Sequence, residues 1–224
     1  MSRSLPADRT GREINHLVSA AMPARLRLAL FVTGLLAIAA IAGVLLFAVG
    51  ERTVPSAAFA GASRPPDMPV TDFATRDERG DALRLSDMRG KPVVVTFLYT
   101  TCEDTCPLTA QQIRIALDDL GYDVPVVAVS VDPANDTPRR AQAFVLEQGL
   151  QGRMRWALGS AGELQRLWRA YGIQPQSDDA EHTASTIVLD GQGVQRVGFA
   201  ASVLTPDGLA HDIAMLERER RAAS

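Results

Sequence analysis

The chain has 224 residues, two cysteines and a formal net charge of −3 at pH 7. The near-neutral charge gives no indication of a nucleic-acid partner, and two cysteines are too few for a disulfide-stapled scaffold. The length suits one domain with a sizeable core, but not two domains together with the flanking segments.

An apolar stretch without any charged residue occupies positions 28–49. A helix of this length would span about 33 Å, which is enough to cross a bilayer core of about 30 Å. The stretch is preceded by an excess of arginine, which predicts that 1–27 lie in the cytoplasm and the rest outside. A cleaved signal peptide is the alternative, with Ala58-Phe59-Ala60 as its site, but the stretch is too long for one. We therefore predict a single-pass anchor at 28–49 in a bacterial cytoplasmic membrane, with the soluble domain facing the periplasm or cell exterior.

Residues 50–69 are rich in proline, alanine and serine and are predicted to form a flexible tether, followed by one domain at 70–224. The predicted elements of that domain, in chain order, are a hairpin (73–75 and 83–85), a buried strand (92–99), a helix (107–120), a second buried strand (124–131), a helix (138–148), a short strand (156–158), a helix (160–171), a second hairpin (186–189 and 195–199) and a terminal helix (205–220). Two buried strands joined by a crossover helix predict a parallel pair. The order predicts an α/β, thioredoxin-like fold with a central mixed sheet flanked by helices.

Both cysteines, Cys102 and Cys106, follow the first buried strand at the start of a predicted helix. On one helical face, their Cα atoms would lie about 6 Å apart, within the range of a disulfide bond. The same sulfurs could bind one thiophilic metal ion, and a helix N-terminus favours the thiolate that both reactions need. A purely structural disulfide is disfavoured, because so short a loop gains little stability from closure.

Metal binding by two thiolates usually requires a third donor, and the chain offers three histidines. His16 precedes the anchor, and His211 falls in the terminal helix, where it is expected at the surface. His182 directly precedes the segment 183–190, which contains the predicted strand 186–189 and whose start should lie at the same sheet edge as the cysteines. We therefore predict Cys102, Cys106 and His182 as metal ligands, and this donor set suits Cu(I) while also permitting Cu(II).

Several motifs resemble the Sco/SenC family: residues 90–102 (GKPVVVTFLYTTC), Cys106-Pro107, 129–133 (VSVDP), 136–138 (DTP), 171–173 (YGI) and His182. Proteins of this family are membrane-anchored, thioredoxin-like copper proteins that take part in assembling the CuA centre of cytochrome c oxidase. The resemblance covers the chain from Phe73 to the C-terminus and implies copper binding by the same two cysteines and His182. Asp132 and Asp136 also match family positions, and we interpret them as turn and helix-capping residues.

The resulting prediction is a copper chaperone, not an enzyme, whose client is the CuA-bearing subunit of cytochrome c oxidase or another cuproprotein. A copper donor and a thiol reductase would be further partners, and a reversible Cys102–Cys106 disulfide would release the metal. Leu98, Tyr99 and Pro107 could form an apolar rim that meets the client. The alternative is a periplasmic thiol-disulfide oxidoreductase acting on a copper-site client. A peroxiredoxin is excluded, because neither cysteine is preceded three positions earlier by threonine.

Overall fold

The computed structural model describes residues 23–50, 58–66, 68, 72–176 and 184–223. The chain divides into two compact units, Met1–Ala57 and Ala58–Ser224. The described part of the first unit is one helix, α1 (Ala24–Gly50). Within the described part of the chain, no helix has both the length and the apolar character needed to cross a membrane. The predicted anchor at 28–49 lies within α1.

The second unit is a mixed α/β domain. Its elements in chain order are β1 (Ala62–Ser63), β2 (Ala74–Arg76), β3 (Ala82–Arg84), β4 (Val93–Leu98), α2 (Thr105–Leu120), β5 (Val126–Ser130), α3 (Pro138–Glu147), β6 (Met154–Ala157), α4 (Ala161–Tyr171), β7 (Ser185–Leu189), β8 (Gln195–Ala200) and α5 (Pro206–Ala222). Short 3₁₀ turns follow β3 at Leu85–Met88 and β8 at Ala201–Val203. The predicted elements are all present, with boundaries that differ by a few residues.

The main sheet has six strands in the order β1-β8-β7-β4-β5-β6, and β2 and β3 form a separate hairpin. Strands β4, β5 and β6 run parallel, whereas β7 is antiparallel to both β4 and β8. The predicted central mixed sheet is thus confirmed. The pairing brings the carboxyl ends of β4 and β5 and the amino end of β7 to one edge of the sheet, which we call the cysteine edge because Cys102 follows β4 there.

Alternate side chains of β4 enter two hydrophobic cores on opposite faces of the sheet. Val94 and Leu98 belong to the core that includes residues of α2, α3 and α5, and Val95 and Phe97 belong to the core that includes residues of α4. A strand buried on both faces needs no polar alternation, which explains why every residue of β4 except Thr96 is apolar. The central position of β4 holds the chain that leads into the cysteines.

Part of the predicted tether is folded onto the domain. Residues 58–64, which we call the amino-terminal strap, include β1, which pairs antiparallel with β8 and forms the edge of the sheet. The Asp212 carboxylate is completely buried and accepts hydrogen bonds from the amides of Ala60 and Gly61 at 2.7 and 2.9 Å. A two-residue strand has no recognisable sequence pattern of its own, so only the contacts with β8 and α5 reveal it.

Candidate functional site

The two cysteines lie at the junction between β4 and α2. Cys102 precedes the helix and is partly buried, whereas Cys106 lies in the first turn and is completely buried. The expectation that both occupy one helical face is therefore wrong, because α2 begins at Thr105. They are nevertheless adjacent, since the Cys106 amide donates a hydrogen bond to the Cys102 sulfur over 3.3 Å. Both are free thiols.

The two thiols differ in acidity. Burial alone would raise the pKa of Cys102, but hydrogen bonds from the Cys106 amide and thiol, the Asp104 amide and the Tyr99 side chain outweigh it and lower this pKa. Burial raises the pKa of Cys106 far above its ordinary value, and the nearby Cys102 and Asp136 act in the same direction. The direction of the shift agrees with the prediction of a favoured thiolate for Cys102 but not for Cys106. The lowered pKa of the partly buried Cys102 favours its role as a nucleophile, and the raised pKa of Cys106 favours the protonated thiol.

A buried carboxylate connects the cysteine junction to the end of β5. Asp136 accepts two hydrogen bonds of 2.7 Å from Thr100, one from its amide and one from its hydroxyl. Its other oxygen accepts a hydrogen bond from the buried Ser130 hydroxyl. Burial raises the pKa of Asp136 even though these hydrogen bonds oppose the change.

This arrangement corrects the interpretation of Asp136 as a capping residue. The cap of α3 is Thr137, whose hydroxyl accepts a hydrogen bond from the Arg140 amide. A helix has only one N-cap residue. Two adjacent candidates, Asp136 and Thr137, were therefore a signal in the sequence that one of them has another role. Asp132 agrees with its interpretation, because its carbonyl and carboxylate both bind Asn135 within the turn after β5.

The predicted ligand His182 lies outside the described residues. The chain on either side of it is anchored at the cysteine edge. The Gln176 amide donates a hydrogen bond to the Val131 carbonyl, just beyond β5, and Ala184 leads directly into β7. His211 lies exposed on α5, and its Nδ1 is 2.9 Å from an Asp212 oxygen. Among the described residues, no group of three or more His, Cys, Asp or Glu side chains is arranged to hold a metal ion.

The predicted apolar rim is only partly present. Leu98 is 1% exposed and belongs to the core, so its assignment to a docking surface is wrong. Tyr99 and Pro107 are half-buried, and Leu108, which the sequence interpretation did not include, is 53% exposed. Leu98 is buried because it is the last residue of β4, which has a hydrophobic core on each face of the sheet.

Comparison with known proteins gives a consistent result. The sequence model of the SCO1/SenC family matches residues 62–217. The mitochondrial SCO2 homolog of Bos taurus is 27% identical over 63% of this chain and 52% of its own length, so the chain spans about half of that relative. Copper-bound ScoI of Bradyrhizobium japonicum is 26% identical, with a TM-score of 0.55 over 66% of this chain and 97% of that chain.

The fold is also that of BsSco, which is described as a member of the Sco family of cytochrome c oxidase assembly proteins with a disulfide switch. The TM-score is 0.60 at 22% identity, over 70% of this chain and 98% of that chain. The family match includes all the strands from β1 to β8 and the cysteine junction, and it therefore covers the described residues of the site. The chain belongs to the SCO1/SenC family.

Proposed function

We propose that this protein carries one copper ion, bound by Cys102, Cys106 and His182, and delivers it to a cuproprotein. The proposed client is the CuA-bearing subunit of cytochrome c oxidase. Copper is the cargo of the protein, which acts as a carrier and not as an enzyme. Copper is bound in the ScoI relative, and BsSco is described as an assembly protein of cytochrome c oxidase, which supports both parts of the proposal.

The observation that carries the proposal is the pair of free thiols at the junction of β4 and α2. The Cys102 sulfur contacts both the amide and the thiol of Cys106, so one soft ion could bind both sulfurs. Cys102 is already the more acidic thiol, while Cys106 would lose its proton on metal binding. Copper affinity should therefore fall on acidification.

The assignment of His182 rests on the chain that flanks it. Gln176 is bound to the end of β5, and Ala184 enters β7, the antiparallel neighbour of β4. Both of these described segments lie at the cysteine edge. This position of the flanking chain supports His182 as the third ligand, whereas His211 on α5 already contacts Asp212.

A second candidate function, thiol-disulfide exchange with a copper-site client, is favoured by the unequal thiols. The partly exposed Cys102 has the lowered pKa of an attacking thiol, and the buried Cys106 is placed to resolve a mixed disulfide. In that reaction the client disulfide would be reduced as Cys102 and Cys106 become oxidised to a disulfide. The same cysteines would serve both functions, so experiments must separate them.

Membrane attachment through residues 28–49 is part of the proposal. The stretch contains no charged residue, and its large apolar side chains between Leu28 and Ile41 are exposed, with Phe31 at 75%. An apolar helix exposed on all sides needs a nonaqueous partner. The full chain should remain in the membrane pellet after alkaline carbonate extraction, and a chain starting at Ala58 should not. Release of the full chain by carbonate would overturn this part of the proposal.

The decisive experiment is an anaerobic Cu(I) titration of the reduced protein against a competing chelator. Wild type should bind one ion, and Cys102→Ser and His182→Ala should both weaken it. His211→Ala is the matched control, because it removes an imidazole from α5 and should leave the affinity unchanged. Tight binding that is indifferent to His182 would contradict the three-ligand site. Absence of competitive binding in the wild type would leave thiol exchange as the function.

A further inference from the structure

The loop that carries Cys102 is held weakly by its own backbone. The Cys102 amide donates to the Tyr99 carbonyl over 3.4 Å, a long hydrogen bond that closes a turn with Thr100 as its second residue. By contrast, Thr100 is bound to Asp136 through two hydrogen bonds of 2.7 Å. The strongest constraint on this turn therefore comes from a side chain that is distant in sequence.

The carboxylate that supplies this constraint is itself rigidly held. Asp136 is 7% exposed, and the Ser130 hydroxyl, which is completely buried at the end of β5, donates to its second oxygen. The Asp136 amide donates to the Asp132 carbonyl over 2.9 Å, so the backbone is also fixed. Asp136 thus links the turn after β4 to the turn after β5, the two loops that flank the cysteine edge.

Burial of a carboxylate is unfavourable unless its hydrogen bonds compensate. Helix capping does not explain this one, because Thr137 caps α3 by itself. All the side-chain contacts of Asp136 described above are instead directed at Thr100 and Ser130. This points to a function in the geometry of the cysteine loop.

We propose that Asp136 is the positioning residue of the cysteine site. Its carboxylate fixes Thr100 and thereby holds Cys102 where the Cys106 amide reaches its sulfur. The inference rests on the proposed function in that the site is taken to bind copper, but the geometric constraint applies equally to thiol exchange. Asp136 does not contact the ion and acts through the backbone of residues 99–102.

Two substitutions of Asp136 separate position from charge. Asp136→Ala removes every acceptor, and Cu(I) affinity should fall about 10- to 100-fold, as is typical when a group that orients a metal ligand is lost. Asp136→Asn keeps an oxygen for Thr100, and its amide group can donate to Ser130, so the affinity should stay within about threefold of wild type. If Asp136→Asn retains the copper affinity that Asp136→Ala loses, the hydrogen bonds of residue 136, and not its negative charge, position the site.

The adjacent Thr137→Ala provides the structural control. It removes the α3 cap, so it should lower thermal stability, but it should leave copper affinity unchanged. Amide hydrogen exchange supplies a direct reading of the loop: exchange at Thr100 and Cys106 should accelerate in Asp136→Ala and not in Thr137→Ala. The equilibrium of the Cys102–Cys106 disulfide with a dithiothreitol redox buffer should shift in Asp136→Ala alone.

The outcomes distinguish this inference from the proposed function. If Asp136→Ala behaves like Thr137→Ala in affinity, exchange and redox equilibrium while His182→Ala still loses copper, the positioning role is wrong and copper binding stands. If wild type binds no copper but Asp136→Ala shifts the disulfide equilibrium and accelerates Thr100 exchange, the positioning role stands and copper binding fails. A loss of copper affinity in Asp136→Asn as large as that in Asp136→Ala would also overturn the proposal, because the negative charge of Asp136 would then dominate its effect.

Discussion

The amino-terminal strap should contribute measurably to stability through one buried aspartate. Substitution of Asp212 by alanine removes the acceptor for the amides of Ala60 and Gly61. A hydrogen bond to a charged group contributes about 1.5–3 kcal/mol, so two of them set an upper limit of about 3–6 kcal/mol. The freed amides can become hydrated if the strap detaches, which reduces the expected loss to about 2–4 kcal/mol.

Urea unfolding of Asp212→Ala, Gly61→Val and the double variant tests this reasoning. A Cβ at Gly61 would lie 2.5 Å from the Val197 side chain and 2.7 Å from that of Phe199, so Gly61→Val should expel the strap by itself. Once the strap has left, loss of Asp212 should cost less than about 1 kcal/mol, and the two effects should therefore be strongly non-additive. Asp207→Ala, an exposed position in the first turn of α5, is the matched control and should cost about 0.3–1 kcal/mol.

Two results would refute the role of the strap. One is a fully additive cycle, because Asp212 would then stabilise α5 independently of the strap. The other is unchanged hydrogen exchange at residues 58–64 in Asp212→Ala, which would mean that β1 pairs with β8 without help from the carboxylate. A cooperative cycle with faster exchange confined to the strap would support the structure as described.

Three further predictions concern thiols, acid stability and the sheet core. Iodoacetamide at neutral pH should modify Cys102 of the reduced, metal-free protein much faster than Cys106, as read by peptide mass spectrometry; equal rates would contradict the opposite pKa directions. Hydrogen bonds from an arginine and two amides outweigh the effect of burial and lower the pKa of Asp77. Its contribution to the free energy of unfolding is therefore present above its ordinary pKa and is lost as the pH falls below about 4. Asp77→Asn should flatten this acidic part of the profile of stability against pH. Thr96→Val should lower the free energy of unfolding by about 1–3 kcal/mol, because the buried Thr186 hydroxyl loses its hydrogen-bond partner at 3.0 Å. The double variant Thr96→Val/Thr186→Val should recover most of this stability, as measured by thermal unfolding.

Local patterns were sufficient to predict the elements of the domain. The apolar strands β4 and β5, the capped helices α3 and α4, and the glycine after α4 each have a signature within a few neighbouring residues. Ser160 and Glu163, for example, form a complete capping box at the start of α4. Such signals predict where helices and strands lie, but they do not specify contacts between distant segments.

The site was predictable in part. Cys102 and Cys106 were identified from their spacing after a buried strand, and the structure brings them into contact. Their unequal acidity was not predictable, because it depends on how deeply each sulfur is buried and on which hydrogen bonds reach it. The assignment of His182 remains a prediction, supported by the chain that flanks it.

The sequence by itself determined the order of the elements, the α/β class, the position of the cysteines at a strand–helix junction and the family resemblance. All of these depend on residue type and on spacings of a few positions. Only the tertiary structure decided that residues 58–64 add a strand to the sheet and that Asp136 binds Thr100 instead of capping α3. Both facts depend on contacts between segments that lie 36 and about 150 positions apart, which local propensity does not specify because they arise from the packing of the whole domain.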